Sequence, residues 1–314
     1  MEYLLLKNSD LRVSRLCMGG CPMGEHGWGN VQQQELLDAV NVAVDNGINF
    51  FDTADTYGLG KSEENLAKAL GARRNQVVIA TKFGVRVENG KTFYDNSREW
   101  IETAVVNSLR RLKTDYIDLY QIHYLDGKTP IAQIVDTLDN LKQKGYIRYY
   151  GLSNIYSSMV NELTPFLGKF VSMQDEYSLA CRKNEIELTE TAQNLSITPM
   201  TWGSLGQGIL TGKYDKNTVF LSNDRRNRDI YVNFHGEKLS RNLEIVEHMK
   251  KVAESHGVSV PAVAVRFILD HIEKSVVLVG AKRPAQILGS IESMGWELTA
   301  EEHNLLNEIS KYDV

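Results

Sequence analysis

The chain has 314 residues, 24% of them charged and 42% hydrophobic, and a formal net charge of −5. This ordinary globular composition excludes a disordered chain, a collagen-like chain and a membrane bundle. The weakly acidic balance gives no global attraction for nucleic acid or an anionic membrane surface.

Residues 3–14 predict a hairpin that turns at Asn8-Ser9-Asp10. Short apolar runs then alternate with helical periodicity. Strands are expected at Arg15–Met18, Asn49–Phe51, Val77–Thr81, Ile117–Gln121, Ile147–Gly151, Phe170–Gln174, Ile197–Thr201 and Ser275–Leu278. Helices are expected at Gln34–Val44, Ser62–Leu70, Ser97–Leu112, through Ile131–Leu141, at Asn184–Asn194, from near Pro284, and at Ala300–Ile309. On the third of these, Ile101, Ala104, Val105, Ser108 and Leu112 share one face. Gly145 is a plausible C-cap before the fifth strand, and Pro284 suits a first helical turn.

Length alone admits two domains or one α/β barrel. The strand count decides for the barrel. Continuous apolar runs read as parallel strands covered on both sides, and eight βα units in this length give a single (β/α)8 TIM barrel over residues 1–314. The hairpin would close its bottom, and the last helix is an addition. No GxGxxG follows any strand, so a doubly wound dinucleotide fold loses its main support. The segment 205–240, rich in Gly, Asn and Arg, reads as a long functional loop.

Cys17, Cys21 and Cys181 are the only cysteines, too few for a disulfide framework and suited to a reducing cytosol. Cys17 and Cys21 lack CxxC spacing and read as small buried residues; no metal site is expected. The N-terminal residues lack the basic start and apolar run of a signal peptide, and no apolar stretch reaches the ~18 residues of a membrane span. A cytoplasmic protein is the expectation.

Barrel chemistry gathers at the C-terminal ends of strands. There the second strand ends in Asp52, the third in Lys82 and the fourth in His123, and Tyr57 lies on the loop after Asp52. Asp52 would keep Lys82 charged. A lysine cation beside Tyr57 would lower the phenol from about 10, making it a proton donor. His123 would orient a carbonyl oxygen. Such a site delivers a proton but no electrons, so it needs a hydride donor, and a nicotinamide is the obvious one.

The stretches FFDTADTYGLGKSEENLAKAL, VVIATKFG, DYIDLYQIH, IRYYGLSN, LGQGILTGKY and VGAKRPAQ cover almost the whole chain in one order. In them the sequence resembles the aldo-keto reductase superfamily, in the prokaryotic branch related to potassium-channel β-subunits and microbial sugar or aldehyde reductases. The resemblance implies a catalytic tetrad of Asp52, Tyr57, Lys82 and His123, with Tyr57 as general acid. It implies that Ser153, Asn154 and Gln174 hold a nicotinamide carboxamide and that Trp202 stacks on the ring. Gly19 and Gly20 would turn beneath the nicotinamide. The loop Gly203, Ser204, Leu205, Gly206 and Gly208, with Lys213, would fold over the pyrophosphate. Gly280, Ala281, Lys282 and Gln286 would take the adenosine end, Lys282 favouring NADP over NAD.

Two departures stand out. The seventh-strand motif is Trp202-Gly203-Ser204-Leu205 and lacks the family's proline. Gly289 and Ser290 replace the acidic residue and asparagine that bind adenine. Arg225, Arg226 and Arg228 would compensate by closing over phosphate, or form a solvated face. On the substrate side, the loop CPMGEHGWGN offers His26 and Trp28 as pocket wall, and Tyr124 is a third candidate. These suit an aldehyde with an apolar group or a sugar face. The leading expectation is NADPH-dependent reduction of an aldehyde or ketone. A slow nicotinamide-binding regulatory subunit and a Schiff-base lyase using Lys82 are the alternatives. The partner is a small carbonyl compound rather than nucleic acid or membrane, and oligomeric state is not readable.

Overall fold

The computed structural model describes residues 1–311. In chain order the hairpin strands β1 (Tyr3–Leu5) and β2 (Arg12–Ser14) precede β3 (Leu16–Gly19), α1 (Gln33–Asp45), β4 (Phe50–Asp52), α2 (Lys61–Leu70) and β5 (Val78–Phe83). A second hairpin, β6 (Val85–Glu88) and β7 (Lys91–Tyr94), follows. Then come α3 (Arg98–Leu112), β8 (Ile117–Ile122), α4 (Ile131–Gln143), β9 (Ile147–Ser153), the single turn α5 (Val160–Leu163) and β10 (Phe170–Glu176). The chain ends with α6 (Glu185–Asn194), β11 (Thr198–Trp202), α7 (Gly236–His256), α8 (Val260–His271), β12 (Val276–Gly280), α9 (Pro284–Ile291) and α10 (Ala300–Ser310).

The parallel strands β3, β4, β5, β8, β9, β10, β11 and β12 close into a barrel, with β12 paired to β3 at Val279–Met18 and Gly280–Gly19. All eight expected strands are present, displaced by one or two residues at their ends, so the (β/α)8 reading holds. Two apolar layers explain the closure. Inside the barrel, Cys17, Phe50, Ala80, Leu119, Val171 and Met200 pack together with Leu6, Leu11 and Val13 from the first hairpin. That hairpin plugs the bottom, as expected. Outside, the strands' other faces pack against the helices through residues such as Phe51, Ile79, Tyr120, Leu138 and Val277. A strand buried on both faces must be apolar at every position, which is why the runs show no alternation.

Three features differ from expectation. β9 returns to β10 through one helical turn and short 3₁₀ segments rather than a full helix. The hairpin β6–β7 was not expected. The loop after β11 ends earlier than residue 240, because α7 begins at Gly236 and is followed at once by α8. The buried Ile245, Val246, Met249, Val252 and Ala253 recur at helical spacing and account for α7. The C-terminal helix starts with a capping box, Thr299 and Glu302 each bonding the other's backbone N–H. Among the described residues no single helix is long and apolar enough to cross a membrane.

Candidate active site

β4, β5 and β8 deliver Asp52, Lys82 and His123 to one end of the barrel. Lys82 Nζ donates to Asp52 Oδ1 at 2.5 Å and to the Thr53 carbonyl at 3.0 Å. Both side chains are at most 2% exposed. A buried ion pair needs further hydrogen bonds to offset its desolvation, and Asp52 has them: Gln121 Nε2 and Gln174 Nε2 donate to Oδ2 at 3.0 and 2.9 Å. Gln121 was not expected. Its signal was legible, because it lies at the end of β8, two residues before His123.

The Tyr57 ring lies over this pair, with Lys82 Nζ 5.3 Å from its centroid, and meets His123 edge to face at 5.9 Å. The four residues thus converge. One expectation is reversed. Burial raises the Tyr57 phenol well above its ordinary value, and the nearby Cys21 and Asp52 add to the effect. The nearby Lys82 does not offset this rise. The phenol keeps its proton through the neutral range, and an alkoxide is far more basic than a phenolate, so donation remains downhill. Burial, then Lys82, pushes His123 well below its usual range, leaving a neutral imidazole. Lys82 spends its ammonium on Asp52 and Thr53, so this geometry does not support a Schiff-base nucleophile.

Asp55, two residues before Tyr57, is pushed up to about 8 by burial and then by Glu63. Above that pH it adds negative charge beside Tyr57, which disfavours negative charge developing on a reacting oxygen. A pH profile of kcat for reduction should therefore decline above about 8, and Asp55→Asn should remove the decline. An unchanged profile in that variant would contradict this coupling.

The tetrad opens into a cleft of about 650 Å³ lined by Gly19, Gly20, Ser153, Asn154, Gln174, Trp202, Gly203, Ser204, Leu205, Gly208, Lys213, Gly280, Lys282 and Gln286. The volume falls within the range of small-molecule sites. At Gly20 a Cβ would come within 2.7 Å of Ser62 Oγ and 2.9 Å of the Asp52 carbonyl, so only glycine lets this turn lie against β4. Gln174 spends its amide hydrogens on Asp52 and Gln121 and leaves its carbonyl oxygen. Asn154 accepts from Trp202 Nε1 and donates to the His123 carbonyl and Ser153 Oγ. At the far end Lys213, Arg225, Arg226 and Lys282 bring cations to the lining. A glycine-floored cleft, a tryptophan wall and cations opposite the tetrad fit a dinucleotide with its redox ring at Tyr57 and its phosphates at the lysines.

The other expected residues stand in different surroundings. Gly206 does not line the cleft; it packs against Ile209 and Ala180. Ala281 is buried and outside the lining. Lys282 Nζ donates to the Trp28 carbonyl at 2.7 Å rather than standing open. Arg226 is buried in an ion pair with Asp224 at 2.5 Å and also donates to Tyr214 Oη. Arg225 donates to the His26 carbonyl at 2.7 Å, and Arg228 is exposed and outside the lining. Trp28 and Tyr124 line the cleft, but exposed His26 does not. Cys17 is buried in the barrel core, whereas Cys21 lines the cleft, which its spacing did not signal. Ser259, Pro261 and Gly289 border the end assigned to adenosine. Ser259 and Pro261 come from the unforeseen start of α8, so sequence reasoning missed them.

The family model described as Aldo/keto reductase family matches residues 15–311. The chain belongs to this family. Aldo-keto reductase YhdN of Bacillus subtilis (strain 168) is 34% identical over 98% of this chain and 93% of its own length. The NADH-specific methylglyoxal reductase of Escherichia coli (strain K12) is 29% identical over 99% of both chains. The structure of the glycerol dehydrogenase AKR11B4 from Gluconobacter oxydans superposes with a TM-score of 0.89 at 33% identity, covering 99% of this chain and 96% of that one. The resemblance read from DTADTYG and the later motifs is thus met across the whole barrel, and with it an oxidoreductase class.

Proposed function

We propose that this aldo-keto reductase reduces an aldehyde or ketone to the alcohol, with NADPH as the favoured reductant and Tyr57 as proton donor. The observation that carries the reading is the buried Asp52–Lys82 pair beneath the protonated Tyr57, beside neutral His123. A bound reduced nicotinamide supplies the hydride. Tyr57 Oη gives its proton to the carbonyl oxygen as negative charge develops there. The His123 imidazole, held neutral, hydrogen-bonds that oxygen and aims it at Tyr57. Lys82 stabilises the phenolate left behind, and Asp52 fixes Lys82 with the help of Gln121 and Gln174. Ser153 and the free carbonyl oxygen of Gln174 would hold the carboxamide, and Trp202 would flank the ring.

Preference for NADPH rests on the cations at the far end of the cleft. Lys282 lies among Lys213, Arg226 and Arg283, with Asp224 as the one opposing charge in that group. The methylglyoxal relative is NADH-specific by name, so the two cofactors are compared directly. Lys282→Ala should weaken NADPH binding about tenfold or more, the scale of one lost charge-assisted hydrogen bond, and change NADH binding little. Fluorescence titration checks this, and equal weakening of both would contradict the assignment. The reading as a whole is tested by a panel of aldehydes, ketones and sugars assayed through NADPH absorbance, with NADH in parallel. Turnover of one or more carbonyl compounds is expected, and none across the panel would overturn it.

A further inference from the structure

The imidazole of His123 has an unusual support. Its backbone is fixed on both sides: the N–H donates to the Phe83 carbonyl at 2.9 Å, and the carbonyl accepts from Asn154 Nδ2 at 3.0 Å. The ring has no such anchor. Nδ1 is buried and has no hydrogen-bond partner among the described residues. Rotation about χ2 of a histidine is broad, and a functional histidine is ordinarily oriented by a hydrogen bond to its second nitrogen. Here something else must hold it.

Stacked rings occupy that place. Tyr124 lies on His123 at 5.1 Å between centroids with 22° between planes, and Tyr94 lies on Tyr124 at 4.9 Å and 18°. The column starts at the hairpin, where Tyr94 is 46% exposed, and ends at the imidazole. The backbone of its outer member is placed by the hairpin. Tyr94 pairs with Val85 at the base of the hairpin, and the Asp95 N–H donates to the Gly84 carbonyl at 3.0 Å. The buried Asn96 then clamps the hairpin to the loop that carries Tyr124. Its Nδ2 donates to the Tyr124 carbonyl at 3.2 Å, its N–H donates to Asp126 Oδ2 at 2.9 Å, and its Oδ1 accepts from the Asp126 N–H at 2.7 Å. Gly84 has φ of +102°, and a Cβ there would come within 2.6 Å of Asn96 Nδ2, so the clamp requires glycine.

We propose that the hairpin β6–β7 positions the catalytic imidazole: Tyr94, stacked through Tyr124, fixes the plane of His123 in place of a hydrogen bond. Tyr94 lies outside the cleft lining and is a positioning residue. The inference rests on the reading of His123 as the group that orients the carbonyl oxygen.

The test compares Tyr94→Ala, Tyr94→Leu and Tyr94→Phe in the full chain. Loss of one stacked aromatic contact converts to about a threefold to tenfold fall in kcat. That fall is expected in the Ala and Leu variants, with NADPH affinity unchanged. Phe, which keeps the flat face, should restore kcat. Leu keeps the apolar bulk alone, so its failure to rescue separates stacking from simple coverage. In parallel, the His123 imidazole signals in NMR, assigned by their absence in His123→Asn, should shift in Tyr94→Ala and stay in place in Tyr94→Phe. Wild-type kcat with unshifted signals in Tyr94→Ala would overturn the proposal. So would a rise in KM at constant kcat, which makes Tyr94 a substrate wall, or a failure of Phe to rescue. If the wild-type protein turned over no carbonyl compound, the reductase reading would fail instead, and the NMR comparison alone would decide this inference.

Discussion

Tyr57→Phe is expected to lower kcat for carbonyl reduction about a hundredfold to ten-thousandfold, the span of a lost general acid, while leaving NADPH affinity unchanged. The substitution removes one oxygen. The ring keeps its edge contact with His123 at 5.9 Å and its place over Lys82 at 5.3 Å, so the pocket keeps its shape. The two readouts then separate. On the proposed reading, cofactor binding depends on Trp202, Ser153, Gln174 and the distant lysines rather than on the Tyr57 oxygen. Chemistry depends on a proton that burial holds on the phenol and that no other group on this geometry carries to the same spot: His123 is neutral and Lys82 is committed to Asp52. Steady-state kinetics and fluorescence titration check both halves. Near-wild-type kcat would remove Tyr57 from the role.

The second large effect lies beneath it. Asp52→Ala should cost about 3–5 kcal/mol of stability, because deleting one partner of a buried pair leaves an uncompensated charge. Lys82 would keep only the Thr53 carbonyl, and the amides of Gln121 and Gln174 would lose their shared acceptor. Lys82→Met added to Asp52→Ala should recover part of that loss, since the stranded ammonium is gone. Denaturant unfolding of the two single variants and the double variant measures the coupling. Strictly additive losses would mean that the pair contributes nothing beyond its separate members. Activity should be lost in all three, because Lys82 without Asp52, or Tyr57 without Lys82, no longer has a defined partner.

The barrel was legible because burial on both faces forces continuous apolar runs, and Asp52, Lys82 and His123 interrupt those runs where parallel strands end. Other parts were legible but unread. The Asn89-Gly90 pair, with φ of +51° and +73°, is the dipeptide of a tight hairpin turn and marks β6–β7. The period in Ile245, Val246, Met249 and Val252 marks α7 in the same way. What the sequence could not carry depends on three-dimensional neighbours. The rise of the Tyr57 phenol comes from its burial with Cys21 and Asp52, 36 and five residues away along the chain. Lys282 reaches Trp28 across 254 positions, and Arg226 finds Asp224 and Tyr214 only after the loop has folded back. Backbone conformation there turns on Gly203, Gly206, Gln207, Gly208 and Gly212, all at positive φ, a pattern that composition permits but does not specify.

The central claim is that hydride passes from a nicotinamide to a carbonyl carbon at Tyr57 and His123. Reduction of an accepted aldehyde with NADPH deuterated at the transferring position of the ring, followed by mass spectrometry of the alcohol, tests it most directly. One deuterium on the carbinol carbon is the expected result. An alcohol without label, or substrate trapped on Lys82 by borohydride, would contradict it.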